Sequence, residues 1–162
     1  MISRISRDRW IDLAVMAVTL WFTLAQFGSQ GFGEYKNETT EPDGLGFVLV
    51  LLVVLPLIWR RRAPFLVLLA TLAPSLGLAA LGYGVHAHIA PAVALYTYAA
   101  RPARGPVWPV IAVAVVGYAA LVVVEAITVP FDLEDYLIPV LIWGGAWLVG
   151  DRRRVVLLRA AE

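Results

Sequence analysis

Leu57–Thr71, LIWRRRAPFLVLLAT, sets three consecutive arginines and a proline between two apolar runs. A guanidinium costs about 2.5–3.5 kcal/mol at the centre of a membrane helix. Arg60, Arg61 and Arg62 therefore mark a turn in water, and the flanking runs read as two membrane helices joined by a tight hairpin. The same punctuation recurs along the chain. Arginines cluster at Arg4, Arg7 and Arg9, at Arg60, Arg61 and Arg62, at Arg101 and Arg104, and at Arg152, Arg153, Arg154 and Arg159; the remaining basic residue is Lys36.

Composition supports the membrane reading. The 162 residues are 60% hydrophobic and 15% charged, with mean hydropathy +0.78, against about 45–50% and 25% in soluble domains. Apolar segments at 10–27, 45–59, 64–82, 85–100, 106–128 and 136–150 give six candidate spans. The second and fourth are short of the roughly 20 residues a span needs. Arginine settles the count, because basic residues in short loops stay cytoplasmic. The clusters fall at the start and after spans two, four and six, whereas the alternate junctions are acidic, with Glu34, Glu38, Glu41 and Asp43 in one and Asp132, Glu134 and Asp135 in the other. The expectation is an all-α polytopic protein, six transmembrane helices as three hairpins with both termini cytoplasmic, in a bacterial plasma membrane. The first span lacks a small-x-small cleavage pattern and reads as retained.

Local signals agree. Pro64 and Pro106 are expected in the first turns of spans three and five. Trp10, Trp59, Trp108 and Trp147 fall near the cytoplasmic interface, Tyr83 and Tyr136 near the outer one. Pro56, Pro74, Pro91, Pro109 and Pro139 read as kinks set by packing. Ala73 with Gly77, and Ala146 with Gly150, have the spacing that permits close helix approach.

Chemistry is sparse. Without cysteine there are no disulfides, thiolate sites or cysteine nucleophiles, and no P-loop, His-Glu-x-x-His or Gly-x-Ser-x-Gly motif occurs, so neither an enzyme nor a cofactor is expected. Asn37-Glu38-Thr39 fits the glycosylation pattern on the outer side. Asp12 reads as a first-turn carboxylate reaching headgroup water, and Glu125 as a solvated outer-end group. His86 and His88, in the outer turn YGVHAH, read either as interfacial polar caps or as a pH- or metal-responsive pair. At i, i+2 they would not share a helix face, and no third ligand can be placed beside them. Glu125, Asp132, Glu134 and Asp135 are the candidates for outer-face sensing. Arg60, Arg61, Arg62, Arg101, Arg104, Arg152, Arg153 and Arg154 are the expected topology and lipid-headgroup anchors.

RDRWIDLAV at 7–15, WRRRAPFLVLLAT at 59–71, IAPAVALYTYAARPARG at 89–105 and LIWGGAWLVGDRRRVVLLRAAE at 141–162 together resemble the N-terminal membrane-sensor module of actinobacterial two-component sensor histidine kinases of the NarL-partner class. The resemblance covers nearly the whole chain. It implies a homodimeric input domain over 1–150, followed at 151–162 by the start of a cytoplasmic signalling helix, with membrane lipid as neighbour. A response regulator would be reached only through a kinase core, whose phosphoacceptor and ATP-binding motifs are absent from this sequence. The alternative is a stand-alone small membrane protein, a transporter subunit or scaffold.

In the exit segment, Trp147 is the expected interface anchor and Gly150-Asp151 the end of lipid. A stop-transfer signal does not require the apolar run Val155-Val156-Leu157-Leu158 that follows. Such residues in the cytoplasm suit a parallel coiled coil with a second subunit.

Overall fold

The computed structural model describes residues 2–29, 39–102, 105–128 and 133–161, with side chains from Trp10 and, in the last helix, from Tyr136. Every regular element among them is helical, as the all-α expectation required. The helices are α1 (Ile2–Gly28), α2 (Gly44–Val54) continued by a 3-10 turn (Leu55–Trp59), α3 (Pro64–Ala80), α4 (Ile89–Ala99), α5 (Val107–Thr128) and α6 (Leu133–Arg159).

The boundaries follow from local chemistry. α1 begins at Ile2 rather than near Trp10, because no proline or glycine in residues 2–10 interrupts it. Asp12 is therefore well inside the helix and not in its first turn. Deeper in α1, Thr19 and Thr23 return their hydroxyls to the carbonyls of Val15 and Thr19 at 2.7 and 2.8 Å, which hides both polar groups within the helix. Asp43 caps α2, its carboxylate accepting the Gly46 N–H at 2.8 Å. Pro56 lacks the N–H an α-turn needs, and there α2 tightens into the 3-10 turn. Pro64 opens α3 as expected. Its other end closes on Gly82, whose φ of +72° permits the paired bonds Gly82 N to Ala79 O and Tyr83 N to Leu78 O, at 3.0 and 3.1 Å.

α3 is the hub of the packing, touching α2, α4 and α5, while α1 lies on α2 and α6 on α4. The outcome differs from three hairpins. α5 packs on α3 and α6 on α4, so the last two helices diverge around a cavity of about 530 Å³ lined by apolar groups including Leu95, Ala114, Tyr118, Trp143 and Trp147.

Helix direction alternates, so the basic junctions gather at one end of the bundle. There Arg60 reaches Asp12 and Gly150 meets the last turn of α4. At the opposite end Thr40 bonds Gly82 and the Thr128 hydroxyl bonds the Ala79 carbonyl at 2.9 Å.

Among the described residues two helices, α1 from Trp10 and α5, are long and apolar enough to cross a membrane; the stretches 44–59, 64–80 and 89–99 are shorter apolar helices. α4 covers only about 16 Å at 1.5 Å per residue, because the expected span at 85–100 is helical only from Ile89. α6 runs without a break through Gly150, Asp151 and the arginines, so no new helix starts at the exit.

At Gly150, α6 lies directly against α4. A Cβ there would stand 2.7 Å from the Tyr96 carbonyl oxygen and 2.8 Å from the Ala99 Cβ, both on a helix that cannot yield cheaply. Gly77 meets only the flexible end of Leu49 at ordinary distance. Of the two small-residue pairs, then, the one ending at Gly150 makes a backbone approach. We predict that Gly150→Val lowers unfolding stability in detergent by about 1–3 kcal/mol. Gly144→Ala, whose added Cβ meets nothing within 4 Å, should be neutral or mildly stabilising.

Candidate functional site

The site grows from the segment 83–88, which is buried without being helical. Three of its N–H groups bond two residues back: Val85 to Tyr83, Ala87 to Val85 and His88 to His86, at 2.7, 3.0 and 2.8 Å. The Ala87 carbonyl accepts the Ser75 hydroxyl at 3.2 Å, and the His88 carbonyl accepts the Trp143 indole N–H at 3.0 Å. Non-helical backbone is tolerated among apolar helices when protein groups satisfy it in this way.

This backbone overturns the objection raised by helical periodicity. Outside a helix, residues i and i+2 can face one side. The rings of His86 and His88 lie stacked, with centroids 5.9 Å apart and planes at 21°.

α5 supplies the third group. Val110, Ala114, Leu121 and Glu125 form its buried face, and Tyr118 lies on the same stripe, seven residues before Glu125. Glu125 is thus carried inward, not solvated at the outer end as expected. Its Oε1 is 3.4 Å from His88 Nε2, with side chains 6% and 4% exposed. One donor atom from each of His86, His88 and Glu125 falls within 4.8 Å of the others. His88 occupies the N-cap of α4 but its side chain makes no cap bond, so the capping reading of this residue fails. Tyr118 and Trp143 wall the site: the Tyr118 ring is 5.9 Å from His88 and 5.4 Å from Trp143, and its hydroxyl donates to the Tyr136 carbonyl. Chemically, two imidazoles and one carboxylate can hold a proton or a cation.

The remaining candidates are dispersed. Asp132 and Arg104 lie outside the described residues, as do the side chains of Glu134 and Asp135 at the start of α6. Arg60, expected to anchor in headgroups, is instead buried at 7% exposure. Its Nε donates to Asp12 at 3.2 Å, and Arg61 Nε reaches the other carboxylate oxygen at 2.6 Å. Asp12 accordingly binds α1 to the end of α2 rather than reaching for water alone. Arg62, Arg152 and Arg153 are exposed, while Arg101 and Arg154 are half-buried. Arg153 donates to the Tyr96 hydroxyl at 2.8 Å.

Tyr83, expected in an interfacial belt, is 5% exposed. Its ring packs on Phe27 at 5.8 Å and its hydroxyl donates to Asp43. The Gly46 N–H, followed by the Tyr83 hydroxyl, holds the Asp43 carboxyl below its ordinary value, and the same carboxylate pushes the Tyr83 phenol up.

Both shifts give stability a direction. A lowered carboxyl contributes above its unfolded pKa and fades as pH falls through the folded one. A raised phenol contributes below its unfolded pKa and fades as pH rises through the folded one. Melting temperature should therefore drop at the acid end below about pH 4 and at the alkaline end above about pH 10. Asp43→Asn should shrink both drops, and Tyr83→Phe the alkaline one. Separately, Arg60→Ala should destabilise by about 1–3 kcal/mol, by removing a buried guanidinium and leaving Asp12 with Arg61 alone. Arg61→Ala, at an exposed position, should cost under about 1 kcal/mol.

Comparison with curated proteins and with solved structures gives no match. A family model described as a domain of unknown function, DUF7134, matches residues 3–156, and the chain belongs to that family.

Proposed function

We propose that this chain is the membrane-embedded input module of a two-component sensor histidine kinase, six spans with both termini cytoplasmic, acting as a homodimer. One observation carries the reading: α6 continues as a single helix from the apolar run 136–150 through Arg152, Arg153 and Arg154 to Arg159. It presents Val156, Leu157 and Leu158 at 64%, 43% and 41% exposure. From Val140 to Arg159 no proline interrupts it, so a displacement at Trp143 is carried through the arginines without a joint.

The surface supports insertion in lipid. Trp10, Trp21, Trp108, Ile127 and Leu141 are each more than 70% exposed, an arrangement water disfavours and acyl chains accept. Trp10 and Trp108 lie toward the arginine-rich end, where an interface would hold them. The short α4 is compatible with a span because the non-helical residues 85–88 complete its passage.

In this reading α4 links input and output. Its N-terminus carries His88, and its last turn is gripped by Gly150 and Arg153 of α6. A stimulus that favours one seating of α4 shifts the seating of α6 by its differential affinity, typically about 1–3 kcal/mol of coupling. In the proteins it resembles, phosphoryl transfer belongs to the kinase core.

Two experiments bear on the reading. The chain has no cysteine, so single cysteines report topology cleanly. Glu41→Cys should label from outside the cell, and Arg62→Cys and Pro102→Cys only after permeabilisation; the reverse pattern rejects the six-span topology. Fusion of a dimeric histidine-kinase core after Glu162, with insertions of one to four residues at the junction, should give autophosphorylation that oscillates with the roughly 3.6-residue helical period. Output that is flat, and equal to that of the core without the spans, rejects the input role.

A further inference from the structure

We infer that His86, His88 and Glu125 form a binding site for one divalent transition-metal ion of the zinc class. Two imidazole nitrogens and one carboxylate oxygen are the donor set such ions prefer, and three protein ligands leave a position open for water or an exchangeable ligand. The site does not depend on what α6 drives.

Distances favour a cation over a simple ion pair. A charge-assisted N–H to O⁻ bond closes to about 2.7–2.9 Å, yet His88 Nε2 and Glu125 Oε1 stand 3.4 Å apart. Metal–ligand bonds of about 2.0–2.1 Å in a tetrahedron separate neighbouring donors by about 3.3 Å, close to this spacing. The widest separation in the triad, within 4.8 Å, then has to close by at most about 1.5 Å. His86 is half-buried and lies on the irregular segment 83–88, so a change of rotamer suffices.

A further feature points to a cation. Glu125 lies one turn from the C-terminal end of α5, where the helix presents its negative pole to a carboxylate that is 6% exposed. A cation answers the carboxylate and the helix end together.

Ligation would also reach the exit helix. The His88 carbonyl holds the Trp143 indole N–H, so contraction around the ion pulls on the middle of α6.

The test uses the full chain purified in detergent, stripped with chelator and titrated with zinc alone and with cobalt alone. One ion per chain should bind, the cobalt complex should show the intense visible absorption of a tetrahedral or five-coordinate centre, and zinc should raise the melting temperature. His86→Ala and Glu125→Gln should each weaken binding by at least about tenfold and abolish the cobalt bands. Substoichiometric binding by the unmodified chain, or variants that bind as tightly as the unmodified chain, overturns the site. His86 is half-buried, so His86→Ala should keep the metal-free fold, and its result decides the matter should Glu125→Gln unfold.

Discussion

A bundle of apolar helices offers no water to its interior, so every polar atom carried inside must find a partner among the helices themselves. The segment 83–88 is where that constraint bears hardest. It brings unpaired backbone and two imidazoles into the bundle, and three helices are recruited to satisfy them. α3 donates the Ser75 hydroxyl, α6 the Trp143 indole, and α5 the carboxylate of Glu125. The divergence of α5 and α6 fits the same demand. Both must reach one short segment from different sides, and Tyr118 and Trp143 bridge them at the head of the apolar cleft.

The opposite end works by charge rather than by neutral hydrogen bonds. Asp12 takes Arg60 and Arg61 together, which makes part of the arginine cluster a bolt between α1 and the end of α2. Arg60 is the one of these that is buried, and its burial is tolerable only because the carboxylate is there to meet it. A single arginine cluster thus divides its labour, with Arg60 inside the bundle and Arg62 facing out.

Much of the architecture was legible in the sequence because its signals are one-dimensional. Apolar runs, arginine clusters and Pro64 located α1 to α6 to within a few residues, apart from the early start of α1, the late start of α4 and the unbroken run of α6 past Gly150. What escaped depends on contacts far apart in the chain. His88 and Glu125 are separated by all of α4 and most of α5, and Asp12 by the whole of α2 from Arg60. The obstacle for His86 and His88 was the assumed helical phase, which a non-helical backbone removes. One clue was available. Ala114, Tyr118, Leu121 and Glu125 recur at spacings of three and four, which places the carboxylate on the buried stripe of α5.

The face of α6 that meets α4 obeys the same rule and then outlasts its partner. Trp143, Gly150 and Leu157 repeat at seven residues, with Ala146 and Arg153 between them. Trp143, Gly150 and Arg153 are engaged by the start and the end of α4. α4 ends at Ala99, opposite Gly150, so Leu157 continues the stripe beyond the helix that covered it. A seven-residue repeat of this kind suits a parallel helix of equal length. In the proposed dimer the same stripe would therefore serve two partners in succession, α4 within the bundle and a second α6 beyond the arginines. A change in how α6 seats on α4 would then rotate the surface offered to the second subunit.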